Sequence, residues 1–136
     1  MKRIVRSIIV IGLLIPFLSC AQNKQQDKAT SAEYHKVSAE EAKKMIDENS
    51  KIILLDVRSE AEYKEKHIHG ATLLPLPELE SKAATVLPDK DAVILVYCRS
   101  GMRSRNASNQ LVSMGYTQVY DIEGGINAWS YGTESE

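Results

Sequence analysis

Cysteine is scarce in this chain: Cys20 and Cys98 are the only two among 136 residues. That excludes a disulfide-stapled scaffold, which needs several pairs. Basic excess is absent too. The formal charge is -1. Lys2, Arg3 and Arg6 stand in the first twenty residues with no acid beside them, and setting those three aside leaves -4 on the remainder. A surface of that sign does not neutralise phosphates, so nucleic acid is excluded as a partner. His67 and His69 are two apart with no cluster of other ligand types near them, so no metal site is expected. There is no internal repeat. The apolar run from Ser7 to Ser19 is too short to span a bilayer.

What is present begins with that run. Met1 to Arg6 is basic, the apolar stretch follows, and Cys20 closes it after Leu18-Ser19. This is the layout of an export signal over residues 1–19. It resembles a bacterial lipoprotein signal, in which the cysteine becomes an acylated first residue. Phe17 and Leu18 depart from the usual pattern, which prefers leucine and a small residue there. A plain signal cut nearby and an uncleaved anchor are the other readings. The resemblance implies an exported protein of the bacterial cell envelope, held to the membrane by lipid on Cys20, with its domain in the periplasm. Residues 20–33 are polar and read as a flexible tether. With Cys20 lipidated, Cys98 has no resolving partner in the chain, and its product must pass to another molecule.

Residues 34–132 read as one domain of alternating strands and helices, which predicts an α/β fold with a mainly parallel sheet. Tyr34 to Val37 reads as an edge strand. Ser38 with Glu41 is a capping box, starting a helix from Ala39 to Glu48. Lys51 to Val57 reads as a buried strand. Ser59 with Glu62 is a second capping box, opening a helix to about Lys66. His67 to Ala71 reads as a turn into a strand over Thr72-Leu73-Leu74. Pro77 suits the first turn of a helix reaching Val86. Ser104 to Met114 reads as a helix stopped by Gly115. A last strand, Gln118 to Ile122, precedes Gly124-Gly125 and a short helix holding Trp129. Residues 133–136 read as a frayed tail.

The stretch from Ala92 to Tyr97 is apolar throughout and rich in β-branched residues, as a central parallel strand covered on both faces requires. After it come Cys98, Arg99, Ser100, Gly101, Met102, Arg103 and Ser104. A loop between a strand and a helix N-terminus aims several N–H groups at one point and binds an anion there. Cys98 occupies that point. Amides and nearby guanidinium groups lower a cysteine pKa, so an exposed, activated thiolate is expected. The loop sits at the carboxyl end of the strand, where open α/β sheets hold their ligands.

Asp56-Val57-Arg58 with Glu62, His67-Ile68, Gly70-Ala71, the segment Cys98 to Ser104, and Gly124-Gly125 with Trp129 together resemble a single-domain rhodanese. The likeness runs from about Val37 to Trp129. It implies a central five-stranded, mainly parallel sheet flanked by helices on both faces. It also implies a sulfurtransferase in which Cys98 takes a sulfane sulfur from a small anionic donor such as thiosulfate, forms a persulfide, and passes the sulfur to cyanide, a thiol or a protein acceptor. No cofactor is required. Arg99, Ser100, Gly101, Met102, Arg103 and Ser104 would form the substrate-binding loop. Arg103 is the expected anion clamp, because its planar fork fits an oxyanion. Arg99 is expected to point outward and steer substrate. Arg58 is expected to pair with Glu62, or else to touch substrate. Asp56 is expected to accept hydrogen bonds structurally rather than to act as a catalytic acid.

Two other readings exist. One is a non-catalytic module that docks a partner protein. The other is a cysteine phosphatase or arsenate reductase, but those families place five residues between cysteine and arginine. Here four separate Cys98 from Arg103.

Overall fold

A computed structural model of the protein describes residues 33–136. The expected signal, the lipidated Cys20 and the tether before Glu33 lie outside the described residues. Among the described residues there are seven strands: β1 (His35–Val37), β2 (Ile53–Asp56), β3 (His67–Ile68), β4 (Thr72–Leu73), β5 (Val93–Tyr97), β6 (Gln118–Ile122) and β7 (Thr133–Glu134). Four α-helices join them: α1 (Ala39–Glu48), α2 (Glu60–Glu65), α3 (Leu79–Val86) and α4 (Met102–Ser113).

Five strands form one sheet in the order β1-β6-β5-β2-β4, and every neighbouring pair is parallel. The expected five-stranded parallel architecture is therefore present. β5 is central, and its side chains divide between two cores. Ile94 and Val96 face one cluster with Leu79, Ala83 and Leu87 from the α3 region and Ala107 and Leu111 from α4. Leu95 and Tyr97 face the other, with Ala42 from α1, Ile126 and Trp129. The period of two along the strand sends alternate residues to opposite helical layers, so a continuous apolar run is what the position demands.

Both capping boxes form. Ser38 Oγ accepts from the Glu41 N–H, and the Glu41 carboxylate accepts from the Ser38 N–H at 2.8 Å. Ser59 and Glu62 repeat the arrangement at the start of α2. Three local expectations are corrected. α4 begins at Met102, two residues before Ser104, because Gly101 takes the N-cap position itself. His67-Ile68 is a strand rather than a turn. It pairs antiparallel with Thr133–Glu134, so the tail is anchored, not frayed. Glu134 supplies the reason. Its carboxylate meets His67 Nε2 at 3.1 Å and His69 Nδ1 at 2.7 Å, and accepts from the Gly70 N–H. Among the described residues no helix is long and apolar enough to cross a membrane.

Candidate functional site

The parallel sheet places all its carboxyl ends on one rim, and β5 delivers Cys98 there. Two tethers fix the loop that follows. The Ile126 N–H donates to the Cys98 carbonyl at 2.9 Å, and the Asn127 N–H donates to the Arg99 carbonyl at 3.1 Å. Both donors lie in a 3-10 turn over Gly125–Ala128, immediately after Gly124. That turn presses so close that a Cβ on Gly125 would stand 2.3 Å from the Cys98 carbonyl oxygen. Gly125 therefore lets one backbone lie against another.

Gly101 closes the loop with φ +116°, in the left-handed half of backbone space. This turns its N–H onto Cys98 Sγ at 3.0 Å. Ser104, one turn into α4, is fully buried and holds its Oγ 3.5 Å from the same sulfur. The Ser104 hydroxyl also reaches the Gly101 carbonyl at 3.2 Å. It has one proton to give. Facing a thiol it accepts from sulfur and donates to that carbonyl. Facing a thiolate it can turn and donate to sulfur. Burial pushes the Cys98 thiol up, since it penalises the charged form. The Ser104 hydroxyl and the amides of Ser104, Gly101 and Ser100 outweigh that and leave the thiol below its ordinary value of 9.0. The alkylation rate of Cys98 by iodoacetamide should therefore reach half its plateau at a pH below that value. A midpoint at or above 9.0 would mean that the amides do not stabilise the thiolate.

The sulfur is recessed rather than exposed. Cys98 is only 2% accessible and joins the same core cluster as Val96 and Ala107. Reaction requires the terminal atom of a substrate to enter the loop. A cleft of about 340 Å³ opens beside it, lined by Arg58, Glu62, Glu65, Lys66, Arg99 and Ile126 with Asn127.

Arg99 is exposed, as anticipated, with Nε 3.7 Å from a Glu62 oxygen. Ser100 is exposed, and Met102 extends into solvent. Arg103 departs from expectation. Its two terminal nitrogens donate to the two Glu62 oxygens at 2.7 and 2.8 Å, so its fork already grips a carboxylate of the protein. Arg58 does not pair with Glu62. It turns back onto Asp56, with Nη2 at 2.6 Å from Oδ2, and donates from the same nitrogen to the Lys66 carbonyl. Both members of that pair are almost fully buried. Asp56 also accepts from the Arg58 N–H at 2.9 Å, a structural role. Arg58 reaches the cleft wall with its Nε and Nη2 donors spent on the protein.

Sequence reasoning missed two groups. Glu62 was legible as a helix cap and as a partner for Arg58, but not as the carboxylate that Arg103 grips. Asp121, at the end of β6, is buried behind the loop with one carboxylate oxygen unpartnered. Burial pushes its carboxyl up against the opposing pull of the Ser104 hydroxyl. Its signal was an acid one residue from the end of an apolar strand.

A recessed thiol, ringed by loop amides at the carboxyl rim of a parallel sheet, defines a cysteine anion-loop protein of the α/β class. Residues 38–131 match the family model described as "Rhodanese-like domain", and the chain belongs to that family. It is 40% identical over 70 residues to "Thiosulfate sulfurtransferase PspE" of Escherichia coli (strain K12), covering 52% of this chain and 67% of that protein. It is 32% identical over 96 residues to "Thiosulfate sulfurtransferase GlpE" of Coxiella burnetii (strain RSA 331 / Henzerling II), covering 71% and 87%. Other curated relatives are longer, and the chain spans 26% of their length. Among solved structures, the rhodanese-like domain of the Anabaena sp. Alr3790 protein superposes with a TM-score of 0.69 at 30% identity, covering 74% of this chain and 79% of that one. Relatives so named support a sulfurtransferase role in general.

Proposed function

We propose that this protein is a sulfurtransferase that carries a sulfane sulfur on Cys98. The Cys98 thiolate attacks the outer sulfur of a donor such as thiosulfate. The donor's S–S bond breaks, sulfite leaves with the electron pair, and Cys98 becomes a persulfide with its negative charge on the terminal sulfur. Cyanide then attacks that sulfur, the persulfide bond breaks, thiocyanate departs, and the thiolate returns. A thiolate acceptor, small or on a protein, would take the sulfur the same way and leave as its own persulfide. Loop amides that hold the thiolate are aimed to hold the charge wherever it moves within the loop. The Gly101 N–H at 3.0 Å from Sγ is the observation that carries this reading.

The same proposal includes export to the bacterial cell envelope, with lipid on Cys20 and the domain in the periplasm. Its support is the basic, apolar, cysteine-terminated start of the chain. Mass spectrometry of the purified protein after thiosulfate exposure tests the chemistry. One sulfur atom should be gained on the peptide bearing Cys98, and cyanide should remove it. A protein that gains no sulfur from any sulfane donor would overturn the assignment.

A further inference from the structure

Both guanidinium groups of the loop face a single carboxylate, that of Glu62. Its place follows from the second capping box, in which Oε2 accepts from the Ser59 N–H at 3.1 Å and the Ser59 hydroxyl at 3.0 Å. The same carboxylate takes both Arg103 nitrogens and stands 3.7 Å from Arg99 Nε. Five contacts thus hold one negative charge against the side of the loop. The Arg103 guanidinium, ahead of the smaller help from Ser59, draws the Glu62 carboxyl down to about 2, so it is ionised at every physiological pH.

The charge count at the cleft follows. Arg58 is neutralised by Asp56 and Arg103 by Glu62. Glu65 opposes Lys66 and Arg99 on the cleft wall. A loop that reads in sequence as strongly cationic is nearly balanced once folded. The cost of bringing in a second negative charge is thereby raised, while a singly charged ligand loses less.

We propose that Glu62 is a specificity-determining residue that sets donor charge: by occupying Arg103 it disfavours dianionic sulfur donors relative to donors bearing one negative charge. The inference rests on the sulfur-transfer reading. Thiosulfate, a dianion, and methanethiosulfonate, a monoanion, present the same kind of sulfane sulfur. Transfer from the second breaks its S–S bond and releases a sulfinate with the electron pair, leaving the same Cys98 persulfide.

Steady-state sulfur transfer to cyanide from both donors, in the wild type and in Glu62→Gln, provides the test. Glutamine keeps the capping-box hydrogen bonds and one of the two Arg103 contacts through its single oxygen, while the charge and the second Arg103 contact are removed. Preference for methanethiosulfonate over thiosulfate, as a ratio of kcat/KM, should fall about tenfold, the effect of one partly screened charge at close range. The gain should lie in a lower KM for thiosulfate. Arg103→Gln reads the opposite sign without touching the cap. It strips Glu62 of its partner, and the preference for the monoanion should rise about tenfold. A ratio within about twofold of wild type in both variants would overturn the inference and leave sulfur transfer standing. A wild type that takes sulfur from neither donor would instead remove the sulfur-transfer reading on which it rests.

Discussion

Cys98→Ser should abolish sulfur transfer, with a loss on the order of a thousandfold or more, as removal of a covalent nucleophile does elsewhere. The reason is chemical rather than steric. A serine hydroxyl is close in size to the thiol and can take over the contacts to the Gly101 N–H and Ser104 Oγ, which lie 3.0 and 3.5 Å from Sγ. It does not ionise in that ring of donors, because an alcohol is far less acidic than a thiol. Serine also forms no bond to sulfur that a second nucleophile could reopen. The fold should persist, with a thermal midpoint within roughly 4–8 °C of wild type, the span of ~1 kcal/mol for a domain of this size. Measured side by side, a lost rate with a kept midpoint isolates the sulfur. A variant that still transfers sulfur at more than about one per cent of the wild-type rate would place the chemistry on another group.

Gly125→Ala should cause the largest loss of stability from a single methyl group. The residue sits at φ +58°, where a side chain is strained, and the added Cβ would meet the Cys98 carbonyl oxygen at 2.3 Å and the Arg99 carbonyl carbon and oxygen at 2.7 Å. Those neighbours are backbone atoms and cannot swing aside. Left-handed strain and overpacking together come to roughly 3 kcal/mol, or a fall in Tm of about 12–24 °C. The tethers from Ile126 and Asn127 to the loop would open as the turn moved away. Activity at a temperature where the variant is still folded should therefore fall as well, since those tethers set where the Cys98 loop lies. A variant with unchanged melting would show that the two backbones do not lie this close. Gly70 makes the natural control: its φ is also positive, at +78°, but nothing stands within 4 Å of an added Cβ.

The sheet and its central strand could be read from the chain because the physics involved is local or periodic. A run such as Ile94-Leu95-Val96-Tyr97 has no polar face to offer, and the fold buries both of its faces. Ser38 with Glu41 and Ser59 with Glu62 announce helices through contacts three residues apart. The recessed position of Cys98 was also within reach, since alternation puts it on the same face as Ile94 and Val96. Attention to its reactivity favoured an exposed sulfur instead. The charge pairing was out of reach. Arg58 and Glu62 stand four apart, which suggests a helical pair, but Ser59 is the N-cap and Arg58 lies outside α2. Arg58 folds onto the end of its own strand, and Glu62 is left for Arg103, forty-one positions away. The β3–β7 ladder failed for another reason: two residues on each side carry no period.

Parallel strands give the domain a polarity. β1 begins at His35 and runs beside β6 in the same direction as every other strand of the main sheet, so His35 sits at the end of the sheet opposite the rim that bears Cys98. A partner that gripped the domain by that opposite end would thus lie beneath its floor, leaving the loop around Cys98 clear of the contact.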